Sequence, residues 1–525
     1  MGVISNSESN NDDEAGASTP SATHVSTPSA THVSTPSATH STTVPGKQRF
    51  PSLFYSRKLE ANNLSRRHFV FGSLAMGIGS SLPVILKGAD PSPKDAHATN
   101  FAYAASYYEA PTLSVPSENI VPSSDFNEVT EEEERNILSE IAYAELPYGS
   151  IVFSTCSGLS ACLCPLEGSA HPLCKALALY TDSATTSVLL NQALLNRAGF
   201  DIFDIRISHH GIAWTECNIM SGIWCLFAAP FNKDNALAGT YNHSEGASLA
   251  QSLSFEEASR MDIATTPEDV ASATGAGVGR PILMAFGDNQ WQCPPLSAVE
   301  KYVFWQLMPN KNGELSEEPS TLNRAAFGED FSEVVYESKG RFSAPPFIYK
   351  KSLVISPRVP DVSTTYQIKK FNAETLADED AITLPSGMTP FNIGYGPNGF
   401  SFSFLASYSY GGGISQWGTY YPMSSGNNYS NPGLKWLHHG TAPTAPISTS
   451  GKFFASKSSI SGIILFDTAN SRYATIPVES GSDNYGIFLA SSGDTDTLVT
   501  YANIDTLRDA ENPRRLCSVR IWSVS

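Results

Sequence analysis

Gly451-Lys452-Phe453-Phe454-Ala455-Ser456, then Gly462-Ile463-Ile464-Leu465-Phe466-Asp467, then Tyr473-Ala474-Thr475-Ile476-Pro477 after the turn 468–471, reads as three consecutive strands. Each run is short and rich in aromatic and β-branched residues, and each is bounded by Gly, Asp, Asn, Ser or Pro, which favour turns. The pattern recurs upstream. Ser150-Ile151-Val152-Phe153-Ser154-Thr155 is followed by Leu177-Ala178-Leu179-Tyr180-Thr181-Asp182 and Thr186-Ser187-Val188-Leu189-Leu190. Gly211-Ile212-Ala213-Trp214-Thr215 is followed by Ile223-Trp224-Cys225-Leu226-Phe227.

Further second-strand candidates near Gln290, Lys351, Gly399 and Thr497 bring the units to seven, with starts at about 150, 211, 290, 351, 399, 451 and 497. A propeller blade, a four-stranded sheet, takes ~40–50 residues. The longer gaps coincide with stretches read as insertions: the Cys-rich segment 156–174, and the segments 240–278 and 308–330. The units resemble the display blades of bacterial propellers, whose outer turn reads Asp-x-x-x-x-x-Tyr, as Asp467 to Tyr473 does. The expected fold is all-β: a seven-bladed β-propeller over 136–525 with a small helical insertion, preceded by a disordered N-terminal region and a signal helix. A pair of β-sandwiches is the alternative.

The last unit holds two good strands, 497–504 and 516–522. Propellers often close by mixing strands from both ends, so the segment near 137–145, or part of 100–108, is expected to complete that blade. Thr130-Glu131-Glu132-Glu133 has the acidic first turn of a helix, whereas Ile141-Ala142-Tyr143-Ala144 reads as a strand. Between 240 and 278, Ser254-Phe255-Glu256-Glu257 is a capping box and Thr266-Pro267-Glu268-Asp269 a second helix start.

Upstream the chain changes character. Residues 1–64 contain the eight-residue repeat Ser18-Thr19-Pro20-Ser21-Ala22-Thr23-His24-Val25, copied at 26–33 and nearly at 34–41. It offers little apolar surface against ~1–2 kcal/mol of ordering cost per residue, so disorder is expected. His24, His32 and His40 are evenly spaced enough to hold a metal weakly, but a bare repeat without ligand is the plainer reading. Residues 65–104 carry Ser65-Arg66-Arg67-His68-Phe69-Val70-Phe71, an apolar run to Leu86 diluted by glycine and serine, and small-x-small sites at Ala96-His97-Ala98 and Ala102-Tyr103-Ala104. Ser65, Arg66, Arg67 and Phe69 resemble the twin-arginine (Tat) export consensus, and charged, apolar, small is the order of a removable signal. The resemblance implies export of a folded chain, secreted or at the cell surface, with the Tat translocase as transient partner and an uncleaved signal as possible membrane anchor. An ordinary buried helix with two exposed arginines is the competing reading. Residues 105–135 read as a proline-punctuated linker.

Segment 1–104 holds 8 of the 33 Lys/Arg and 7 of the 51 Asp/Glu, which leaves 25 against 44 and a net charge of −19 beyond it. That balance argues against nucleic acid and anionic membrane surfaces, which both need basic patches.

The eight cysteines are Cys156, Cys162, Cys164, Cys174, Cys217, Cys225, Cys293 and Cys517. An even count in an exported chain favours disulfides, within 156–174 or between Cys217 and Cys225 across a hairpin; free thiols and a metal site are the alternatives. The sequence lacks Gly-x-Ser-x-Gly, a P-loop, His-Glu-x-x-His, a dinucleotide fingerprint and haem or iron–sulfur spacings, so no catalytic residue, cofactor or metal is assigned. The pairs His209-His210 and His438-His439 are read as turn residues. Tyr408, Tyr410 and Trp417 around Gly411-Gly412-Gly413 are candidate ligand-face aromatics, with blade packing as the plainer alternative. The expectation is a non-enzymatic propeller that binds an envelope protein or glycan. The alternative is a secreted glycan hydrolase or lyase with carboxylates in the funnel.

Overall fold

The computed structural model describes residues 110–156, 158–165, 173–196, 199–240, 267–359, 364–404, 418–424, 429, 431–440, 447–448, 453–458, 462–476, 482–492, 495–507 and 513–524. Seven sheets of four antiparallel strands follow one another along the chain. Blade 1 is Ile151–Cys156, Leu159–Pro165, Leu173–Tyr180 and Thr186–Leu190. Blade 2 is Asp201–Ile207, Gly211–Asn218, Ile223–Pro230 and Ile282–Gly287. Blade 3 is Leu296–Val299, Tyr302–Leu307, Ser320–Ala326 and Ser332–Ser338, and blade 4 is Phe347–Tyr349, Ser352–Ile355, Gln367–Asn372 and Asp378–Thr383. Blade 5 is Asn392–Gly396, Gly399–Phe404, Gly418–Pro422 and Trp436–His439. Blade 6 is Ile447–Ser448, Phe453–Ser458, Gly462–Asp467 and Arg472–Ile476, and blade 7 takes Ser482–Ser492, Thr495–Asp505 and Arg515–Val524.

The first strand of each blade touches the first strand of the next, and that of blade 7 touches that of blade 1. The seven first strands thus ring one axis, the arrangement of a seven-bladed β-propeller. Each blade is sandwiched between neighbours, so both faces lose water and the middle strands are largely buried; Gly399–Phe404 is buried at every position. Trp214, Trp224, Trp305 and Trp436 are fully buried. Tyr421 of blade 5 stacks on Phe454 of blade 6 at 4.6 Å, which shows how aromatic faces fill the wedge between blades.

The N-terminal part of the described chain is a belt around the rim. Thr112 bridges Thr383 on the outer strand of blade 4. Ile120–Pro122 adds a parallel fifth strand outside Trp436–His439 of blade 5, and Asn127–Glu128 does the same outside Arg472–Ile476 of blade 6. Phe126 packs edge-on against Phe466 at 5.6 Å. Then Thr130 and Glu133 form a reciprocal capping box on the helix Glu131–Ile137, and Arg472 of blade 6 reaches Glu133 at 3.0 Å. The belt ends as Leu138–Pro147, which pairs antiparallel with Arg515–Val524 and supplies the fourth, outermost strand of blade 7. Gly149 donates to the Asn503 side chain at 2.6 Å, and Asn503 Nδ2 donates to the Ser150 carbonyl at 2.9 Å. This side chain holds the passage from blade 7 into blade 1.

The strand that completes blade 7 is therefore the 137–145 candidate, and both readings of 130–145 hold in succession, helix then strand. Other expectations are corrected. Residues 105–135 are more than a linker, since they contribute strands to blades 5 and 6. The segment 156–174 is not an insertion: Cys156, Cys162, Cys164 and Cys174 lie on three successive strands of blade 1. Gln290 lies in the connector between blades 2 and 3, not on a strand. The second-strand candidates near Lys351, Gly399 and Thr497 are second strands, as expected, but the runs from Gly211 and Gly451, read as opening their units, are second strands too, because first strands such as Phe347–Tyr349 and Ile447–Ser448 are too short to stand out. The helical insertion lies between the third and fourth strands of blade 2 as Lys233–Ala238 and Pro267–Ala273; the capping box at Ser254 lies outside the described residues.

Candidate functional site

In four-stranded antiparallel blades the blade-to-blade connectors and the turns between second and third strands emerge on one face of the ring. On that face, between blades 3 and 4, side chains from four separate segments converge. The blade 2–3 connector brings Gln292, and the blade 3 excursion that holds the hairpin Asn310–Lys311 and Glu314–Leu315 brings Pro309 and Glu317. The blade 3–4 connector brings Arg341, and the corresponding excursion of blade 4 brings Arg358 and Tyr366.

Arg341 Nη1 donates to the Pro309 carbonyl at 3.1 Å, and Nη2 donates to Gln292 Oε1. Both acceptors are neutral, and burial draws the guanidinium below its usual arginine range. Arg358 pairs with Glu317 through Nη1, donates to Tyr366 Oη at 2.9 Å through Nη2, and lies over the Tyr366 ring at 5.3 Å. The Arg358 backbone N–H donates to Ser338 Oγ at 3.0 Å, which fixes the start of that excursion. Gly340 makes the juxtaposition possible: a Cβ there would stand 3.0 Å from Arg358 Cδ and 3.2 Å from its Nη1. The bare backbone lets Arg358 lie against the residue that precedes Arg341. Among the described residues, the two guanidinium groups share one cluster with the carboxylate of the exposed Glu317.

The same face carries a second surface feature. In blade 2 the turn between the second and third strands exposes Met220 to 93% and Ile219 to 42%. Gly222 of that turn lies against Asn289, where a Cβ would be 3.6 Å from Asn289 Cβ. Asn289 belongs to the same connector as Gln292.

Two buried carboxylates elsewhere are tied into the scaffold by several donors each. Glu216 is fully buried and accepts from the Leu194 and Leu195 amides at 2.7 and 2.9 Å and from Trp214 Nε1 at 2.9 Å. Burial pushes its carboxyl up to about 7 against these three donors. Asp380 accepts from Tyr395 Oη at 2.9 Å and Tyr429 Oη at 3.1 Å across the blade 4–5 interface, and burial raises it as well.

The residues singled out in the sequence do not come together. Ser65, Arg66, Arg67, Phe69, Tyr408, Tyr410 and Trp417 lie outside the described residues. Cys217 and Cys225 do flank a hairpin, but Cys217 stands opposite Trp224 and Cys225 opposite Glu216. They project to opposite faces of the sheet, and both are free thiols, which corrects the expected disulfide. His209 and His210 are in a turn as expected, whereas His438 and His439 lie on the outer strand of blade 5. His438 stacks on Tyr420 at 4.7 Å, and His439 Nδ1 sits 3.0 Å from Ser123 Oγ of the belt. Sequence reading missed Arg341 and Arg358. Local charge was no guide: of the seven Lys/Arg in residues 339–372, Lys339, Lys369 and Lys370 pair with Glu337, Asp378 and Glu379, and Lys350 and Lys351 lie in the turn between the first and second strands of blade 4.

No protein-family model and no curated protein matches this chain. Solved structures similar to it include oligogalacturonate lyase from Vibrio parahaemolyticus, at 7% identity and a TM-score of 0.37, over 76% of this chain and 96% of that one. Another is the β-propeller domain of the Trilobed protease from Pyrococcus furiosus, at 11% identity and a TM-score of 0.31, over 60% and 85%. The chain also resembles acylaminoacyl peptidase from Pyrococcus horikoshii at 9% identity and a TM-score of 0.31, over 58% of this chain, and it spans only 44% of that peptidase. Likenesses this distant do not bear on activity.

Proposed function

We propose that the chain is an exported, extracytoplasmic β-propeller that acts as a non-enzymatic binding module at the cell envelope, and that it engages a protein or glycan through the connector face. One observation carries the reading. Side chains from four loops, Gln292, Glu317, Arg341, Arg358 and Tyr366 among them, gather on the loop-bearing face of the ring. Loops on a rigid scaffold are where binding is ordinarily carried. Export is supported by Ser65-Arg66-Arg67-His68-Phe69 and the apolar run behind it. The experiment is twofold. Fractionation of cells that express the full chain should show loss of export on R66K/R67K. The purified full chain should be retained by envelope extract or a glycan array without converting what it binds. Unchanged export of the variant would overturn the route, and release of new reducing ends or unsaturated sugar products would overturn the non-enzymatic reading.

A further inference from the structure

We infer that Asn312 is a site of spontaneous deamidation, the one of the chain's two Asn-Gly pairs that the fold leaves open, and that the isoaspartate formed there loosens the hairpin on the connector face. This chemistry is independent of what that face binds. The two pairs are Asn312-Gly313 and Asn398-Gly399. Glycine after asparagine matters because a residue without Cβ lets its backbone nitrogen approach the preceding side chain. The glycine nitrogen loses its proton to water and bonds to the asparagine Cγ, the Cγ–Nδ2 bond breaks, and ammonia leaves with a proton. Water then opens the cyclic imide, at Cγ to give aspartate or at the main-chain carbonyl to give isoaspartate. Water enters and ammonia departs, with nothing oxidised or reduced.

The fold separates the two pairs. Asn312 and Gly313 make up the whole loop between Lys311 and Glu314, which stand opposite each other. Their φ values of 55° and 81° are those of the two-residue turn that Asn-Gly favours. Asn312 is exposed, and neither its amide nor the Gly313 N–H has a hydrogen-bond partner among the described residues. Gly313 is buried while the turn is closed, so attack awaits opening. Opening is a local event, because the ladder holds two residue pairs, Asn310 with Leu315 and Lys311 with Glu314. Asn398, by contrast, is clamped. Its Nδ2 donates to the Pro422 carbonyl at 3.0 Å and to Thr468 Oγ1 at 3.2 Å, so blades 5 and 6 both hold the amide that would have to leave. Gly399 stands opposite Gly396 in the ladder, and a Cβ there would be 2.3 Å from Tyr429 Oη. Asn470, which precedes the small Ser471, gives its Nδ2 to Asp467 Oδ2 at 2.7 Å.

Isoaspartate routes the main chain through the former side chain, so a loop shaped for two residues gains a backbone atom and a negative charge. The pairing of Lys311 with Glu314 then loses its register. The same excursion carries Pro309 and Glu317 to Arg341 and Arg358, so the change reaches that cluster through the backbone.

The test is incubation of the full chain at mildly alkaline pH with peptide mapping by mass spectrometry over time. Isoaspartate is read by methyl transfer from S-adenosylmethionine with a protein L-isoaspartyl methyltransferase. In the folded chain, conversion at Asn312 should run at least ~10-fold ahead of Asn398 and Asn470, whose release requires blades to come apart. In urea the two Asn-Gly pairs should convert at similar rates, with Asn470 behind. N312Q should take up far less methyl label after the same incubation. Amide exchange over 309–317 should rise in the isoaspartyl form, while N312D, which adds the charge but no backbone atom, should stay near the native chain. Circular dichroism shows that both variants are folded. Equal rates at Asn312 and Asn398 in the folded chain, or no conversion at Asn312 where the unfolded chain converts both, overturns the site. Unchanged exchange in the isoaspartyl form overturns its effect on the hairpin.

Discussion

Leu138 stands opposite Val524, so the outer edge of the last blade is made from residues separated by nearly the whole described chain. The pairing continues to Pro147 opposite Leu516, and Asn503 then fixes Gly149 and Ser150 as the chain enters blade 1. Closing a ring through its two ends means that neither end can be removed without freeing a strand edge.

A chain that begins at residue 110 keeps the belt and every blade, and its thermal midpoint should match that of the full chain. A chain that begins at residue 148, or stops after residue 514, loses one partner of the outer pair and should unfold at much lower temperature or aggregate. N503A removes the acceptor for Gly149 and the donor for Ser150 inside a buried turn, and should cost ~1–3 kcal/mol in urea unfolding. An unchanged midpoint for the chain that begins at 148 would mean that the closure does not support the ring.

Glu216 gives a stability signature with a definite sign. Its folded carboxyl titrates at about 7 against an ordinary value of 4.5, because burial penalises the anion. Below pH 4.5 both states hold the proton and the full contribution is present. As pH rises from 4.5 to 7 the unfolded chain ionises first, and stability falls by up to ~3 kcal/mol. E216Q should flatten that limb. It should also cost ~1–3 kcal/mol at low pH, since one amide oxygen replaces two carboxyl oxygens before three donors and the amide N–H₂ faces a donor. Urea unfolding at intervals between pH 4 and 7.5 reads both effects.

His439 works in the opposite direction. Burial, and secondarily His438, lower its titration from 6.5 to about 4. The unfolded chain takes up the proton as pH falls through 6.5 while the folded imidazole stays neutral, so stability is lost from pH 6.5 down to 4, again by up to ~3 kcal/mol. H439F keeps an edge-on ring near Phe466, now 5.2 Å away, and removes the titration. The native chain should therefore vary little between pH 4.5 and 6.5, with E216Q gaining stability as pH rises there and H439F gaining as it falls. Parallel slopes in the two variants would contradict the assignment.

What the sequence reveals and what it hides divide by distance along the chain. Three strands between Phe453 and Ile476 are evident because each run and its turn are contiguous. The count of seven follows from repetition of such runs. The phase of the repeat is hidden because inner strands such as Ile447–Ser448 carry two residues and no pattern. Nothing local announces the belt: Ser123 meets a histidine 316 positions later, and Glu133 meets Arg472 across 339. The Arg341–Arg358 cluster is hidden for the same reason, since Gln292, Pro309 and Glu317 arrive from other loops. The hairpin around 219–222 was legible, but its register was not, and a shift of one residue decides on which face a cysteine points.

That register leads to a test of the thiols. Cys217 and Cys225 lie on opposite faces of blade 2, and Cys162 and Cys164 lie on one strand of blade 1, so neither pair meets across a ladder. Burial pushes the thiols of Cys156 and Cys217 up to about 12 and that of Cys164 up to about 11. The reactive thiolate is then scarce at neutral pH and attack on a disulfide reagent is slow. Protein purified without reductant should therefore release few equivalents from an aromatic disulfide reagent while folded, and all eight after denaturation. A bond between Cys217 and Cys225 would leave six. The double variant C217A/C225A separates the two cases energetically. Loss of one half-buried and one buried thiol from a packed sheet costs about what small cavities cost, ~1–2 kcal/mol, whereas loss of a native disulfide costs ~2–5 kcal/mol and makes the stability of the native chain depend on reductant. The thermal midpoint of the native chain should be the same with and without dithiothreitol.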